Sequence, residues 1–262
     1  MSEPFDVVMV GGGNMGAALA QGMLDGGSTN QSFAIVEQRA ERRDELVEMF
    51  PSSTVTDTIP ACVSAIIAVK PDDVSHAVAS AVAAGATRIV SIAAGVTLAT
   101  LEAAAGDGVA VIRAMPNTPA LVGLGTSAIA AGASVDEADM AWADEVLGAV
   151  GIVERLDEPM IDAFTGVAGS GPAYVFRFAE ALRSAATGEG LDGEAADRIV
   201  AQLLLGSATL LDRAGDPTQL RINVTSPGGT TAAGLARFEA HDLDAIVADV
   251  VAAATERSRE LG

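Results

Sequence analysis

The chain has 262 residues, of which 50% are hydrophobic and 19% are charged, so its length and composition favour two compact globular units. Its formal net charge is −20, and aromatic residues make up 3% of it. Both values disfavour nucleic-acid binding, because an acidic surface repels phosphate backbones and few rings are available to stack on bases.

The first half of the chain alternates apolar runs with helical patterns. The predicted strands are 6–10, 33–36, 65–69, 88–92, 109–113 and 127–130, and the predicted helices are 17–25, 39–50 and roughly 73–84. Gly26 and Gly27 are expected to end the first helix, and Pro51 the second. Because the strands are continuously apolar, we expect a parallel sheet covered on both faces, which is a doubly wound α/β domain over residues 1–160.

The second half is predicted to be helical throughout. Its predicted helices are 171–187, 194–213, one that begins near 230, and 242–261. The helix over 194–213 is apolar on more than one face, because its large side chains cannot share one seam: Ile199, Val200, Leu203, Leu204, Leu205, Leu210 and Leu211. A unit of this size would bury such a surface poorly alone, so we expect residues 161–262 to form the all-helical dimerisation domain of a homodimer.

A glycine motif, Gly11-x-Gly13-x-x-Gly16, follows the first strand and opens the first helix. In this setting the first glycine permits a tight turn, the second lets the backbone approach a pyrophosphate, and the third allows close packing of helix and strand. The helix N-terminus stabilises the negative charge. We therefore predict a Rossmann-type dinucleotide site, and the alternative is a purely structural glycine turn.

The residues after the second strand bear on the choice of cofactor. Glu37 ends this strand, where a carboxylate accepts hydrogen bonds from the adenosine ribose hydroxyls and disfavours a 2′-phosphate. Arg39, Arg42 and Arg43 follow, and they could pair with such a phosphate or simply form a solvated helix face. The sequence leans towards NADH and leaves NADPH open.

Other strand ends carry candidate cofactor contacts, because ligands bind at the carboxyl ends of parallel strands. Lys70 is the only lysine of the chain and directly follows a buried strand, so it could contact the phosphates or ribose of a cofactor or be a chance surface lysine. Ala93 begins a small-residue turn on which a nicotinamide ring could lie, and Asn117 could bond the nicotinamide carboxamide. Either segment could instead be an ordinary turn.

Two glycine-rich loops lie in the second half of the chain. The first covers 166–174, where Pro172 suits the first turn of a helix. The second covers 226–231, where Gly228 and Gly229 free backbone N–H groups just before a helix N-terminus, and Thr231 adds a hydroxyl. This combination can receive a small carboxylate, and a plain helix cap is the alternative.

The scarcity of reactive side chains disfavours other chemistry. Cys62 is the only cysteine, and His76 and His241 are the only histidines, which argues against disulfides, metal sites and a Ser-His-Asp hydrolase. No apolar stretch approaches the ~20 residues of a membrane-spanning helix, and the acidic start lacks a secretory signal. We therefore expect a cytoplasmic protein with no membrane partner.

Six motifs in fixed order span nearly the whole chain. They are Gly-Gly-Gly-Asn-Met-Gly at 11–16, Ala-Val-Lys-Pro at 68–71, Ser-Ile-Ala-Ala-Gly-Val at 91–96, Arg-Ala-Met-Pro-Asn-Thr-Pro at 113–119, Gly-Ser-Gly-Pro-Ala-Tyr at 169–174 and Val-Thr-Ser-Pro-Gly-Gly-Thr-Thr at 224–231. Together they resemble the pyrroline-5-carboxylate reductase family, and the last motif is the most specific.

The resemblance implies the NAD(P)H-dependent reduction of 1-pyrroline-5-carboxylate to L-proline, the last step of proline biosynthesis. It also implies an α/β plus all-α fold whose helical domain is of the type that ends 6-phosphogluconate dehydrogenase. NADPH or NADH would be held by two of the motifs: Gly11, Gly13, Asn14, Met15 and Gly16 in one, and Ala68, Val69, Lys70 and Pro71 in the other. The family builds its site between the nucleotide domain of one subunit and the helical domain of its partner, in dimers that can assemble further into rings.

The resemblance also implies contacts to the substrate. The loop that starts at Ser226 would hold the carboxylate, mainly through the backbone N–H groups of Gly229 and Thr230. Thr231, the candidate catalytic residue, would hydrogen-bond with the ring nitrogen, and Val224 would line the pocket with its carbonyl near that nitrogen. An iminium bound from solution already carries its proton, so the reaction requires no strong general acid.

The chain departs from the family at two places. Many relatives carry Ser or Asn near the position of Glu37. Many also carry an Asn upstream of the Val-Lys-Pro strand, and this Asn contacts the adenosine ribose. Residues 54–57 of this chain contain no Asn. Three alternatives also stand. A β-hydroxyacid dehydrogenase would need a lysine where Val175 stands, a dinucleotide sensor would bind without turnover, and a related reductase would act on another cyclic imine.

The acidity has a pattern of its own. The chain has a single lysine among 15 basic residues, against 35 acidic ones. Such surfaces resemble those of salt-loving organisms, because dissolved salt screens the self-repulsion of a highly charged chain. We hypothesise that the protein is stable and active at molar salt and loses structure in dilute buffer.

Overall fold

The structure is a computed structural model that describes residues 3–26 and 32–262. The chain divides into two compact units. The residues up to Ser170 form the sheet unit together with Ala253–Gly262, and Gly171–Ala252 form the helical unit. Residues 161–170, which the sequence analysis placed in the second domain, therefore lie in the first unit. The predicted helix end at Gly27 lies outside the described residues.

Within these ranges, the sheet unit contains one eight-stranded sheet of order β3-β2-β1-β4-β5-β6-β7-β8. Its strands are β1 (Phe5–Val10), β2 (Phe33–Val36), β3 (Thr54–Thr56), β4 (Cys62–Ile67), β5 (Arg88–Ser91), β6 (Ala110–Met115), β7 (Gly125–Ala131) and β8 (Gly151–Arg155). Its helices are α1 (Asn14–Asp25), α2 (Ala40–Met49), α3 (Val74–Ala83), α4 (Leu98–Ala105), α5 (Glu137–Gly148) and α6 (Ile161–Phe164). The strands and helices predicted for this half are confirmed, with ends shifted by a few residues.

The prediction of a fully parallel sheet is wrong for one pair of strands. β6 and β7 run antiparallel, with Arg113 opposite Ala130, whereas β1, β2, β4 and β5 pair in parallel with their neighbours. The segment between β6 and β7 is too short for a helical crossover, which takes about a dozen residues. The chain instead turns back through a 3-10 turn, Thr118–Val122, and the left-handed Gly123 at φ +72°.

Helices cover both faces of the sheet, because successive side chains of each strand point to opposite sides. On one face, Val8 and Ile67 are fully buried in a cluster with side chains of α3 and α4. On the other face, Met9 and Ile66 are fully buried in a cluster with side chains of α1 and α5. These two cores fix the positions of the strand ends.

The helical unit consists of helices that bury little of their own apolar surface. It contains α7 (Gly171–Gly188), α8 (Gly193–Ala214), α9 (Pro217–Asn223), α10 (Thr230–Ala240) and the first part of α11 (Leu243–Leu261). Ala196 and Val200 are the only buried hydrophobic residues among 171–252, all of which are described. Many large apolar side chains are exposed instead: Val175, Phe176, Phe178, Ile199, Leu203, Leu205, Leu210, Leu211, Ile246 and Val247. No described helix combines the length and apolarity that a bilayer crossing requires.

The last turns of α11 belong to the sheet unit, where a network of charged side chains holds them. Arg113 on β6, with a side chain 7% exposed, pairs with Glu158 at 2.9 Å and lies 3.8 Å from Asp162. Ser258 on α11 donates its hydroxyl hydrogen to Asp162 at 2.7 Å. The buried guanidinium is thus compensated by carboxylates, and one of them anchors the end of the chain.

Candidate functional site

The strand order reverses between β1 and β4, and the segments that follow these strands lie side by side. The Gly11 N–H donates to the Val36 carbonyl and the Ala68 N–H donates to the Val10 carbonyl, each at 2.8 Å. Ligands of open parallel sheets bind at the carboxyl ends of the strands that flank such a reversal. A cavity of about 830 Å³ opens at this edge, a size typical of sites for small organic ligands.

The glycine motif has the geometry of a dinucleotide cradle. Gly11 is left-handed at φ +110°, and a Cβ added to it would lie 2.4 Å from the Ala68 carbonyl oxygen. A Cβ on Gly16 would lie 2.1 Å from the Gly11 carbonyl oxygen, whereas a Cβ on Gly13 would meet nothing within 4 Å. The first and third glycines are therefore required for packing, and the second leaves the backbone open to a ligand. α1 begins here without a side-chain cap, so its first N–H groups are available to a pyrophosphate.

Glu37 directly follows β2 and lines the cavity with a side chain that is 10% exposed. Its Oε1 accepts the Arg39 backbone N–H at 3.0 Å and the Arg39 Nε hydrogen at 3.2 Å. Burial raises the pKa of the Glu37 carboxyl, but hydrogen bonds from Arg39 and from the Gly12 N–H, with the charge of Arg39, lower it by more. Because the net pKa lies below its ordinary value, the carboxyl is ionised at neutral pH.

The arginines that follow Glu37 have different partners. Arg42 donates from Nε to the Gly12 carbonyl at 2.8 Å, and Arg43 donates from Nη1 to the Glu37 carbonyl at 2.9 Å. These two side chains brace the backbone around the cavity and do not line it. Arg39 does line it, with a side chain that is 71% exposed.

The structure brings half of the predicted cofactor residues to the cavity wall and leaves the others outside it. Those on the wall are Gly11, Gly13, Glu37, Ala68, Val69 and Lys70. Those outside are Asn14, Met15, Gly16, Pro71, Ala93 and Asn117. The first three of the second group form the first turn of α1, and Pro71 opens the 3-10 turn that leads to α3.

Asn117 and Ala93 lie away from the cavity wall. Asn117 is buried, and its carboxamide accepts the Thr126 N–H at 2.9 Å and donates to the Ala168 carbonyl at 3.0 Å. Both ends of this side chain thus hold together segments distant in sequence. Ala93 is buried in the segment after β5.

Several residues on the cavity wall were not assigned by the sequence analysis: Asp57, Thr58, Ile59, Asp73, His76, Ala77 and Ser80. The first three follow β3, a three-residue strand that was not predicted. Recognition of β3 would have found them, since the same rule about strand ends applies. His76 and Ser80 lie one turn apart on α3, and no local pattern marks that face.

The helical unit contains the second candidate site, at the start of α10. Gly228 is left-handed at φ +71°, and Gly229 is the N-cap, with its N–H donating to the Ser226 carbonyl at 3.0 Å. Thr230 and Thr231 are the first two residues of the helix, and the first intrahelical bond runs from Ala233 N–H to Gly229. The N–H groups of Thr230 and Thr231 therefore point out of the helix start, where they can receive an anion. Val224 just before this loop is 63% exposed.

A doubly wound sheet with a glycine turn and a cavity at its reversal point defines a Rossmann-type dinucleotide-binding protein. Family comparison agrees with this class. Residues 6–95 match the model described as NADP oxidoreductase coenzyme F420-dependent, and residues 158–261 match that described as pyrroline-5-carboxylate reductase dimerisation.

Individual relatives identify the family. A pyrroline-5-carboxylate reductase of Pseudomonas aeruginosa is 39% identical over 100% of this chain and 98% of its own. The solved pyrroline-5-carboxylate reductase of Coxiella burnetii has a TM-score of 0.92 at 29% identity over 99% of both chains. The Plasmodium falciparum pyrroline carboxylate reductase, solved with NADP bound, has a TM-score of 0.83 at 27% identity over 100% of both chains. The chain belongs to the pyrroline-5-carboxylate reductase family.

Gly13→Val is expected to weaken dinucleotide binding without unfolding the protein. The backbone of Gly13 is extended, at φ −64° and ψ −175°, and space is open around it, so the side chain fits the apo fold and blocks the backbone approach of a pyrophosphate. Calorimetric titration with NAD⁺ and NADP⁺ should show dissociation constants at least about tenfold higher, with an unchanged melting temperature. Gly148→Val on α5, where space is also open, is the matched control and should bind normally. Normal affinity of the Gly13 variant would contradict the assignment.

Proposed function

We propose that this chain reduces 1-pyrroline-5-carboxylate to L-proline with NADPH or NADH, the last step of proline biosynthesis. The observation that carries the proposal is the 39% identity to the Pseudomonas aeruginosa reductase across 100% of this chain, so that both units have counterparts in it. The cavity over the glycine turn and the anion-receptive start of α10 support the same reaction.

The reaction requires positioning more than acid–base chemistry. Reduction of a cyclic imine needs a hydride at carbon and a proton at nitrogen, and a bound reduced nicotinamide supplies the hydride. An iminium taken from solution already carries its proton, so neither His76 nor His241 is needed as an acid. What the protein contributes is to hold the carboxylate and orient the nitrogen, which lowers the entropic cost of hydride transfer.

The loop before α10 supplies the groups that hold the substrate. The Gly229 N–H, which the resemblance assigned to the carboxylate together with that of Thr230, donates instead to the Ser226 carbonyl within the loop. The N–H groups of Thr230 and Thr231, at the start of α10, therefore receive the carboxylate. The Thr231 hydroxyl bonds with the ring nitrogen, which fixes the face presented to the hydride. The Val224 carbonyl lies beside that nitrogen and disperses its positive charge.

The sheet unit supplies the groups that hold the dinucleotide. The open backbone at Gly13 and the start of α1, with Asn14, Met15 and the closely packed Gly16, receive the pyrophosphate. Glu37 lies where the adenosine ribose is expected, and the segment after β4, Ala68–Pro71, forms the opposite wall. Ala93 and Asn117 follow the neighbouring strands β5 and β6, and Asn117 shapes the nicotinamide end indirectly, through its hydrogen bonds to Thr126 and Ala168.

The active assembly is a homodimer that buries the exposed apolar surface of the helical unit. Ile199, Leu203 and Leu210 are each about half exposed and form one stripe along α8. A soluble monomer rarely exposes so much contiguous apolar surface. In this dimer the helical unit of one subunit completes the site on the sheet unit of the other, and further assembly into rings leaves that pairing unchanged.

Thr231→Ala is expected to lower turnover by ~10- to 10³-fold while dinucleotide affinity stays near wild type, the loss typical of one positioning hydrogen bond. The measurement is oxidation of NADH and NADPH with 1-pyrroline-5-carboxylate, alongside calorimetric titration of the cofactors. Thr231→Ser keeps the hydroxyl and should restore most of the activity. Wild-type turnover of the Ala variant would refute the role of Thr231, and a wild-type protein that binds dinucleotide without turnover would refute the enzymatic function.

Leu203→Glu is expected to convert the dimer into a monomer, because it places a charge within an apolar stripe that association would desolvate. Light scattering after size exclusion measures the mass, and the wild type should show a dimer or a multiple of it. Val47→Glu on α2, which is 52% exposed in the sheet unit, is the matched control and should keep the wild-type mass. A monomeric wild-type protein would contradict the dimer.

The acidic surface is proposed to adapt the protein to molar salt. With 35 acidic and 15 basic side chains, at least some carboxylates have no cation to pair with, and their repulsion falls as salt screens it. The melting temperature should therefore rise by roughly 10 °C or more between dilute buffer and molar potassium chloride. An unchanged melting temperature would count against this adaptation.

A further inference from the structure

NADPH differs from NADH by a 2′-phosphate, which carries roughly two negative charges at neutral pH. Glu37 follows the glycine motif by about 20 residues, which is the position whose side chain meets the adenosine ribose in this fold. The described charged residues on the cavity wall are Glu37, Asp57 and Asp73 against Arg39 and Lys70. The cavity therefore offers a 2′-phosphate no excess of positive charge.

The Glu37 carboxylate has capacity left for ribose hydroxyls. Its Oε1 accepts two hydrogen bonds from Arg39, one from the backbone N–H and one from Nε. A carboxylate offers about four acceptor positions, so at least one remains for a hydroxyl donor. The hydrogen bonds to Arg39 also hold the side chain in place before any ligand binds.

The other cations near the cavity cannot easily take a 2′-phosphate. Arg42 and Arg43 donate to the backbone carbonyls of Gly12 and Glu37, and turning towards a ligand would break these hydrogen bonds. Lys70 follows β4, and β1 lies between β4 and β2 in the sheet. The two strand ends are thus separated by two strand spacings, about 10 Å, so Lys70 would have to extend its side chain along the cavity to meet a 2′-phosphate beside Glu37.

Arg39 is the remaining candidate, because its side chain is exposed. If it moved to a phosphate, it would leave the Glu37 carboxylate facing that phosphate without its cation. One guanidinium would then have to neutralise a carboxylate and a phosphate together, and the like charges would still repel. NADH requires no such rearrangement.

We propose that this chain selects NADH over NADPH, with Glu37 as the residue that sets the preference by accepting the adenosine ribose hydroxyls and repelling a 2′-phosphate. Arg39 is a positioning residue that holds Glu37 in the cavity wall. The inference rests on the proposed function, since it concerns the cofactor of that reaction.

Calorimetric titration with NAD⁺ and NADP⁺ tests the preference without any turnover, at one salt concentration that keeps the protein folded. The wild type should bind NAD⁺ at least about tenfold more tightly than NADP⁺. Glu37→Gln removes the charge and keeps the shape, so it should shift this ratio by at least about tenfold towards NADP⁺. Glu48→Gln makes the same change at an exposed position of α2 outside the cavity and should keep the wild-type ratio.

Each outcome decides the inference. Equal or tighter binding of NADP⁺ to the wild type overturns it, and so does a Glu37 variant with the wild-type ratio and an unchanged melting temperature. If neither dinucleotide binds, the inference and the proposed function fail together. If the titrations give the expected ratios but 1-pyrroline-5-carboxylate is not reduced, the proposed function fails and the selection of NADH stands.

Discussion

The close approach of the β1–α1 turn to the segment after β4 is the constraint on which the cofactor site depends. A Cβ added to Gly11 would lie 2.4 Å from the Ala68 carbonyl oxygen, and one added to Gly16 would lie 2.1 Å from the Gly11 carbonyl oxygen, so both close approaches require glycine. With a larger residue at either position, β1, β4 and α1 would be forced apart, and the backbone at Gly13 would no longer lie at the carboxyl ends of the strands. The packing that stabilises this end of the sheet and the geometry that receives a pyrophosphate are therefore one arrangement.

Salt concentration affects how the exposed apolar surface of the helical unit competes with the negative charge of the chain. Apolar side chains such as Phe176 and Leu203 favour association of two chains, but the net charge of −20 on each chain opposes it. The apolar attraction acts at contact, whereas the repulsion acts over a Debye length, which shrinks from about 10 Å at 0.1 M salt to about 3 Å at 1 M. Screening thus favours folding of each chain and pairing of two chains for the same physical reason.

Much of the fold could be predicted from the sequence, because the long apolar strands and the helices of the second half have strong periodic patterns. The elements that were missed are short or weakly patterned. β3 has three residues, Thr54–Thr56, and β8 is a half-exposed edge strand. α5 mixes acidic and small residues, and its clearest signal, the Asp136–Asp139 capping box, lies only at its start. β7 runs antiparallel because the connection from β6 is too short for a helical crossover, and strand patterns alone do not take the length of a connection into account.

The candidate site was predictable where it depends on strand ends and was not where it depends on tertiary packing. Gly11, Glu37 and Lys70 follow strands that the sequence predicts, so the rule about ligands and strand ends finds them. His76 reaches the same cavity from the side of α3, and nothing in its local sequence marks that face. Asn117 illustrates the same limit, since its hydrogen bond to Ala168 joins residues 51 apart in the chain and no local pattern indicates it.

The two candidate sites recognise negative charge by different means, and this difference suits a chain with few free cations. In the sheet unit, the proposed discrimination between dinucleotides depends on the side-chain charge of Glu37, which Arg39 holds in place. In the helical unit, the start of α10 offers backbone N–H groups to a carboxylate and needs no lysine or arginine. Salt screens both kinds of attraction at an exposed site, but the backbone hydrogen bonds of a helix start add a fixed geometry that a mobile side-chain cation lacks. An anion site built on a helix start therefore lets a strongly acidic chain bind a small carboxylate through its backbone, without adding a lysine or an arginine.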